Sequence, residues 1–436
     1  MHTTSAKRRA ADANANTDTT VTTLPNGLRF VALPLPHLQT ASVGVYVRAG
    51  SAHEPRALNG ISHFVEHMVF KGTAARDVHR INLDAERLGA EVNAHTDKDH
   101  TAYYMRGRGE HATLFVQMLA DIVQNATFPE AELARERDVL RQEAAEVADD
   151  PMDTAYQLFD HACWGLHPAA QAVIGPRGNI RRLQRADLVR WVSRHHTGGH
   201  LVVVAAGPID TVEIARAVET AFGALPPGPA EAVAPPAWAG GMRSRRLPGS
   251  SQTHLVLGFP IAARSDDDPA PEVAAAVFGD GMSSPLLGEL RERRGLVYHA
   301  ACAADRYESC GQFAVEASFA AEKLDEVLRE VMQLLQRQAQ ATDAVDLERA
   351  RNQIEVRLLR DADRPSRRME QAALDLFSLG RVRPLAEQLE RLEGVDAGAT
   401  SEVFQRMLVA GVAVAMAGNV GRAAGDKVKD SLLLRA

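Results

Sequence analysis

The sequence predicts an α+β chain of two similar domains, each a largely antiparallel sheet packed against helices. Three observations carry this. The chain has 436 residues, past the size at which one hydrophobic core usually keeps growing, so two domains of roughly 200 residues are expected. Residues 226–249, in the run LPPGPAEAVAPPAWAGGMRSRRLPG, are rich in proline, glycine and alanine and lose all periodicity, as a linker does. Either side of that run, the pattern reads strand, helix, helix, strand pair, long helices: a faint internal duplication. The expected boundaries are a disordered tail over 1–20, a first domain over 21–225 and a second over 250–436.

The elements justify themselves in order. Thr22 to Leu33 gives two strand-like pieces around a Pro25-Asn26-Gly27 turn. Val43 to Arg48 is a strand, and a loop with Gly50, Pro55 and Gly60 leads to an apolar helix from Ile61 to Gly72. Asp77 to Leu88 reads as a helix. Glu91 to Met105 mixes β-branched and aromatic residues with polar ones, giving a strand, a turn at Asp97 to Asp99 and a returning strand. Helices follow over Glu110 to Gln124, Pro129 to Val147 and Asp153 to Cys163, with another ending near His196. Leu201 to Ala206 is an apolar strand and Val212 to Phe222 a helix.

In the second half, Thr253 to Phe259 is a strand, and Pro271 to Phe278 and Ser283 to Glu292 are helices. Val297 to Ala303 and Gly311 to Phe319 are strands; Ala321 to Gln336 and Val345 to Leu359 are long helices. The end reads as a helix, a strand at Val412 to Met416 and a loose tail.

Composition excludes several classes. Lys+Arg 49 against Asp+Glu 56 gives a net charge of −7, with no basic surplus to draw a phosphate backbone, so nucleic acid is not an expected partner. Cys163, Cys302 and Cys310 are too few and scattered for a disulfide framework or a thiolate metal site. No apolar run approaches a membrane span. The basic patch Lys7-Arg8-Arg9 has no apolar segment behind it, so no secretory signal is read, and a cytoplasmic location is expected.

Chemistry concentrates in ISHFVEHMVFKG. His63 and His67 stand at i and i+4, so both imidazoles leave one helix face a turn apart. That spacing lets two nitrogens share a zinc ion about 2.0–2.1 Å from each. Glu66 adjoins the pair, and Ile61, Phe64, Val65, Met68 and Phe70 supply apolar surroundings in which ionisable groups are costly unless coordinated or paired. A third ligand is needed. On PEAELARERDVLRQEAAEV, Glu136 and Glu143 lie two turns apart on one face; Glu143 suits a ligand and Glu136 a supporting carboxylate. Glu130, Glu132 and Glu146 share that helix, and composition does not choose among the five.

The triad runs His-x-x-Glu-His, the reverse of the familiar zinc-protease order. On this motif the chain resembles the inverted-motif metallopeptidases of the pitrilysin and mitochondrial-processing-peptidase family, M16, and more narrowly its short bacterial members. The resemblance extends from Leu24-Pro25-Asn26-Gly27-Leu28 to the last helices. It implies His63, His67 and Glu143 as zinc ligands, the last standing 76 residues after His67. It implies Glu66 as base and Glu136, opening the Glu-Arg-x-Val-x-x-x-Glu pattern, as the additional catalytic acid. Gly89 to Thr96, GAEVNAHT, resembles the family's Gly-x-x-x-Asn-Ala-x-Thr stretch, followed by Tyr103. Asn93, Ala94 and Tyr103 are thereby implied in substrate binding, through an edge strand that pairs with peptide backbone and tolerates many sequences.

In the second domain, Leu290 to Tyr298, LRERRGLVY, reads by itself as a helix stopped by Gly295 and leading into a strand. It also resembles the distal-domain segment whose arginine and tyrosine reach the substrate, which implies Arg291 and Tyr298. The preceding Gly279-Asp280-Gly281-Met282-Ser283-Ser284 resembles the family's glycine-bearing loop, but Pro285 stands where arginine is common. The implied fold is the LuxS/MPP-like metallohydrolase fold, forming half of a clamshell. The implied activity is zinc-dependent endopeptidase action inside a dimeric chamber, formed as a homodimer or with a homologous non-catalytic subunit. The competing readings are a non-catalytic peptide-binding or scaffold subunit and a zinc hydrolase of some non-peptide substrate. Retention of His63, Glu66, His67 and Glu143 together favours the enzyme. His195-His196 and Asp97-Lys98-Asp99-His100 offer themselves as metal sites, but read as helix-end and turn residues.

Overall fold

The computed structural model describes residues 19–229 and 231–432. The tail expected over 1–20 falls outside these residues except for Thr19 and Thr20, and Thr20 already opens a strand. The described residues form two compact units. The first takes the chain up to Ala144, Ala172–Val233 and Leu359–Glu387; the second takes Ala145–Gln171, Ala234–Leu358 and the chain from Gln388 onward.

The first unit holds six strands: β1 (Thr20–Thr23), β2 (Arg29–Pro34), β3 (Thr40–Val47), β4 (Glu91–Thr96), β5 (Thr101–Arg108) and β6 (Leu201–Gly207). Their order across the sheet is β1-β2-β6-β3-β5-β4. Only β2 and β6 pair in parallel; the other neighbours are antiparallel. The β1–β2 turn is closed by Asn26, whose side chain accepts from the Leu28 N–H at 3.1 Å and donates to the Phe222 carbonyl at 2.8 Å. Gly27 there has φ +90°, a backbone state that favours glycine.

The second unit repeats the plan with β7 (Gly241–Arg246), β8 (Thr253–Ile261), β9 (His299–Arg306), β10 (Gly311–Phe319) and β11 (Ala413–Gly418). Its order is β7-β11-β8-β10-β9, with β7 and β11 parallel and the rest antiparallel. Without β1, the first sheet reads β2-β6-β3-β5-β4, the same topology strand for strand. In each unit the last strand inserts beside the first. The duplication read from the sequence is therefore a true repeat of an α+β plan.

Each sheet is covered on both faces, so β6 and β11 are apolar and buried throughout. In the first unit, helices Ile61–Val69, Ala112–Gln124 and Thr211–Phe222 bury one face around Phe64, Val65, Phe115, Leu119 and Val218. The other face is filled by helix Pro365–Leu379, whose Met369, Ala372, Ala373 and Leu376 pack on Val31, Tyr46, Val202 and Val204. In the second unit, helix Pro151–Trp164 has the matching place, with Ala155 and Phe159 against Val256, Ala314 and Ala415.

These two helices join the unit opposite to their half of the chain. Each carries an ordinary apolar stripe, and nothing local in such a stripe specifies which sheet it will cover. Three local readings also shift. The stretch read as linker over 226–249 contains β7, which pairs with β11 from Ala413 to Gly418. Ser283 to Glu292 is not one helix but a turn at Pro285–Leu287 running into a wider π-helical segment, Gly288–Arg293. Strand β9 starts at His299, so Tyr298 precedes it. At the far end the loose tail includes helix Ala424–Leu432.

Candidate metal centre

Helix Ile61–Val69 is set by its first turn. Gly60 caps it with φ +97°, and a Cβ there would lie 2.9 Å from the Ile174 carbonyl oxygen. Upstream, the fully buried Glu54 carboxylate accepts from Gly60 N–H at 2.7 Å, Ser62 N–H at 2.8 Å and Asn59 Nδ2 at 2.8 Å. A carboxylate at a helix N-terminus meets both unsatisfied N–H groups and the positive end of the dipole. Burial pushes the Glu54 carboxyl up, against these hydrogen bonds, which favour its charge.

With Ile61, Phe64, Val65 and Met68 buried in the core, His63, Glu66 and His67 occupy the remaining face. The two imidazoles stand edge to face, 4.7 Å between centroids. Helix Glu130–Asp149 brings Glu143 to them: its Oε2 lies 4.0 Å from His63 Nε2 and 3.7 Å from His67 Nε2. One donor atom from each of the three lies within 4.8 Å of the others. Two imidazole nitrogens and one carboxylate oxygen are a donor set that suits a borderline divalent ion such as zinc. Burial, then the neighbouring His67, lowers the His63 pKa to about 4, so its ring is neutral as a ligand must be.

Glu136 is buried two turns before Glu143 on the same helix. Its Oε2 accepts from His67 Nδ1 at 3.0 Å while its Oε1 pairs with Lys71 Nζ at 2.8 Å. That fixes which His67 nitrogen faces Glu143. The other glutamates of this helix take different places: Glu130 and Glu146 are exposed, and Glu132 pairs with Arg135. Glu66 receives the Thr96 hydroxyl at 2.5 Å. Burial raises its pKa, and the Thr96 bond acts against that rise.

Thr96 ends β4, the edge of the first sheet, which among the described strands pairs only with β5. Asn93 and Ala94 lie mid-strand, with Asn93 exposed and its Oδ1 accepting from the Ala94 N–H at 2.8 Å. Tyr103 lies opposite Ala94 on β5 but is wholly enclosed, its hydroxyl without a hydrogen-bond partner among the described residues. A ring so enclosed backs the strand from within the core. Arg291 and Tyr298 belong to the second unit and are exposed there; the Tyr298 N–H donates to the Ser318 carbonyl at 2.8 Å. Between them, Gly295 has φ +56° and closes the helical segment, while Pro285 begins a turn capped by Ser284.

Sequence reading did not single out Glu54, Lys71 or Thr96 individually. Thr96 stood inside a motif and so left a signal; Glu54 and Lys71 are ordinary charged residues whose roles arise only from packing. His195 and His196 are, as expected, helix-end residues, donating to the Trp191 and Val123 carbonyls at 3.0 Å each.

Residues 29–177 match the family model described as insulinase, peptidase family M16, and residues 182–354 match that of the peptidase M16 inactive domain. An uncharacterized zinc protease of Streptomyces coelicolor is 35% identical over 71% of this chain and 69% of its own length. One of Mycobacterium tuberculosis is 32% identical over 92% of this chain and 93% of its own. The crystal structure of a protease from Helicobacter pylori superposes with a TM-score of 0.84 at 20% identity, covering 92% of this chain and 99% of that one, a likeness of fold. By sequence, by its repeated α+β plan and by the histidines and glutamate gathered on two neighbouring helices, the chain belongs to peptidase family M16.

Proposed function

We propose that the chain is a zinc-dependent endopeptidase that hydrolyses peptides or unfolded polypeptide segments. The observation that carries this is the convergence of His63, His67 and Glu143 beside a carboxylate, Glu66, that is itself held by Thr96. A zinc ion bound by those three residues would lower the pKa of a water and polarise the scissile carbonyl. Glu66 takes the proton from that water as its oxygen adds to the carbonyl carbon. When the C–N bond breaks, Glu66 passes the proton to the leaving amine nitrogen. Glu136 steadies His67 throughout. The free edge of β4 at Asn93 and Ala94 pairs with substrate backbone, with Tyr103 behind it. This accounts for a broad choice of sequence.

Arg291 and Tyr298 are assigned the donation of hydrogen bonds to substrate carbonyls or to the developing oxyanion. The resemblance supports this, as does their exposure within the second unit. The same resemblance supports a dimeric chamber, either a homodimer or a pairing with a homologous non-catalytic subunit. No helix among the described residues is long and apolar enough to cross a membrane; the proposed location is the cytoplasm.

The test is a pair of variants of the full chain. Glu66→Gln keeps zinc by elemental analysis and loses nearly all turnover of an unstructured peptide; His63→Ala loses the zinc. A Glu66→Gln protein as active as its parent overturns the base assignment. A parent chain that binds zinc and peptide but cleaves nothing, alone or with a homologous partner, makes it a binding subunit instead.

A further inference from the structure

The first sheet has two faces, and the metal centre uses one. Side chains alternate along a strand, so Thr96 reaches Glu66 while His95 points to the opposite face, where helix Pro365–Leu379 packs. On that face His95 Nε2 lies 3.3 Å from His100 Nε2, across the β4–β5 turn, and 3.9 Å from Glu370 Oε1 on the helix. One donor atom from each of the three falls within 4.8 Å of the others, the same spread as at His63, His67 and Glu143. Two ligands on a tetrahedral ion, each about 2.0–2.1 Å from it, stand roughly 3.3 Å apart. The two imidazole nitrogens already have that separation.

The surroundings suit a bound cation. His100 is buried, and Tyr46 and Tyr104 wall the two imidazoles with ring centroids 6.0 Å and 5.9 Å away. The second Glu370 oxygen, Oε2, is held by Arg367 at 3.0 Å, which leaves Oε1 turned toward His95. This repeats at Glu370 the orienting contact that Glu136 makes at His67. The three residues come from β4, from the turn that follows it and from a helix some 270 residues on, so a shared ion would join elements that are otherwise only packed together.

We propose that His95, His100 and Glu370 form a second site for a divalent first-row transition ion, which ties the β4–β5 turn to helix Pro365–Leu379. The ligand set is one that zinc favours and that magnesium and calcium do not. Because Thr96 follows His95 directly, the ion fixes the end of β4 that holds Glu66. That link to turnover rests on the proposed peptidase function; the binding of the ion does not.

The experiment uses the full chain, stripped with a chelator, reloaded with Zn²⁺ and freed of excess, with zinc counted per chain. The parent takes up two equivalents. His67→Ala and Glu370→Gln each retain one, and the double variant retains none. Added Zn²⁺ raises the melting temperature of His67→Ala but not of the double variant. A parent with one equivalent, or a Glu370→Gln protein with as much zinc as the parent, overturns the proposal. So does a His67→Ala protein whose melting temperature ignores zinc. If two equivalents bind and no peptide is cut, the peptidase reading fails while this site stands; one equivalent with full cleavage gives the reverse.

Discussion

Glu136 holds His67 and Lys71 at once: one carboxylate oxygen is 3.0 Å from His67 Nδ1 and the other 2.8 Å from Lys71 Nζ. The carboxylate thus selects the tautomer that leaves His67 Nε2 free to bind, and Lys71 holds it in place. Glu136→Gln is expected to weaken zinc binding about 10–100-fold, because a neutral amide orients the ring less well and makes it less basic. Competition with a chromogenic chelator measures this. An affinity equal to the parent's would reduce Glu136 to a packing residue.

Thr96 makes a separate prediction. Its hydroxyl donates to Glu66 Oε2 at 2.5 Å, and that hydrogen bond positions the carboxylate. Thr96→Val keeps the shape of the side chain and removes the donor. A hydrogen bond to a charged group contributes about 1.5–3 kcal/mol, so turnover is expected to fall roughly tenfold or more with zinc content unchanged. Loss of zinc in parallel with turnover would show that Thr96 supports the whole helix face and not the base.

How far the sequence revealed this arrangement depends on what kind of signal each residue left. His63, Glu66 and His67 lie within one helical turn or so, and their chemistry is local. Glu143 was one of several glutamates on an acid-rich helix, and only the family motif chose it; the fold then placed it by packing Leu133 and Leu140 into the core. The succession of strands and helices was legible as a repeat because their patterns recur along the chain, whereas the order of the strands across each sheet comes from the fold. The exchange of helices Pro151–Trp164 and Pro365–Leu379 between units was not, since an amphipathic stripe does not name its partner. His100 was read as a turn residue and not as a ligand, and its grouping with His95 and Glu370 escaped for the same reason. Two lie near a turn and the third is far along the chain, and only the sheet and its covering helix bring them together.

Glu54 was likewise silent in the sequence, yet it terminates the loop on which the histidine helix begins. It accepts from Gly60, Ser62 and Asn59 while fully buried. Glu54→Ala leaves these donors enclosed without that acceptor, at a cost of about 1–3 kcal/mol for a buried unsatisfied group. With three donors affected, a loss of roughly 3 kcal/mol or more is expected in denaturant unfolding, together with weaker zinc binding as the first turn frays. A midpoint within error of the parent would mean that water or a local shift replaces the carboxylate at little cost.

The last prediction concerns acid. Burial lowers the pKa of His53 to about 3, and of His195 and His196 to about 4 each, from an ordinary value of 6.5. All three lie in the first unit, outside the proposed ligand set. Below 6.5 the unfolded chain takes up protons that these folded histidines refuse, so the unfolded state gains as pH falls. Stability therefore rises with pH between about 4 and 6.5 and is lost as pH falls through that window. The slope is at most about 1.4 kcal/mol per pH unit for each such histidine. His196 is the cleanest to isolate, since its ring is buried and its Nδ1 donates to the Val123 carbonyl at 3.0 Å. His196→Gln keeps a donor for that carbonyl and removes the titration. Its unfolding free energy is expected to change less steeply than the parent's between pH 4.5 and 6.5, whatever its absolute stability, because every other titration is common to both proteins. Parallel curves would show that His196 is protonated in the folded state as readily as in the unfolded one, and that acid sensitivity arises elsewhere.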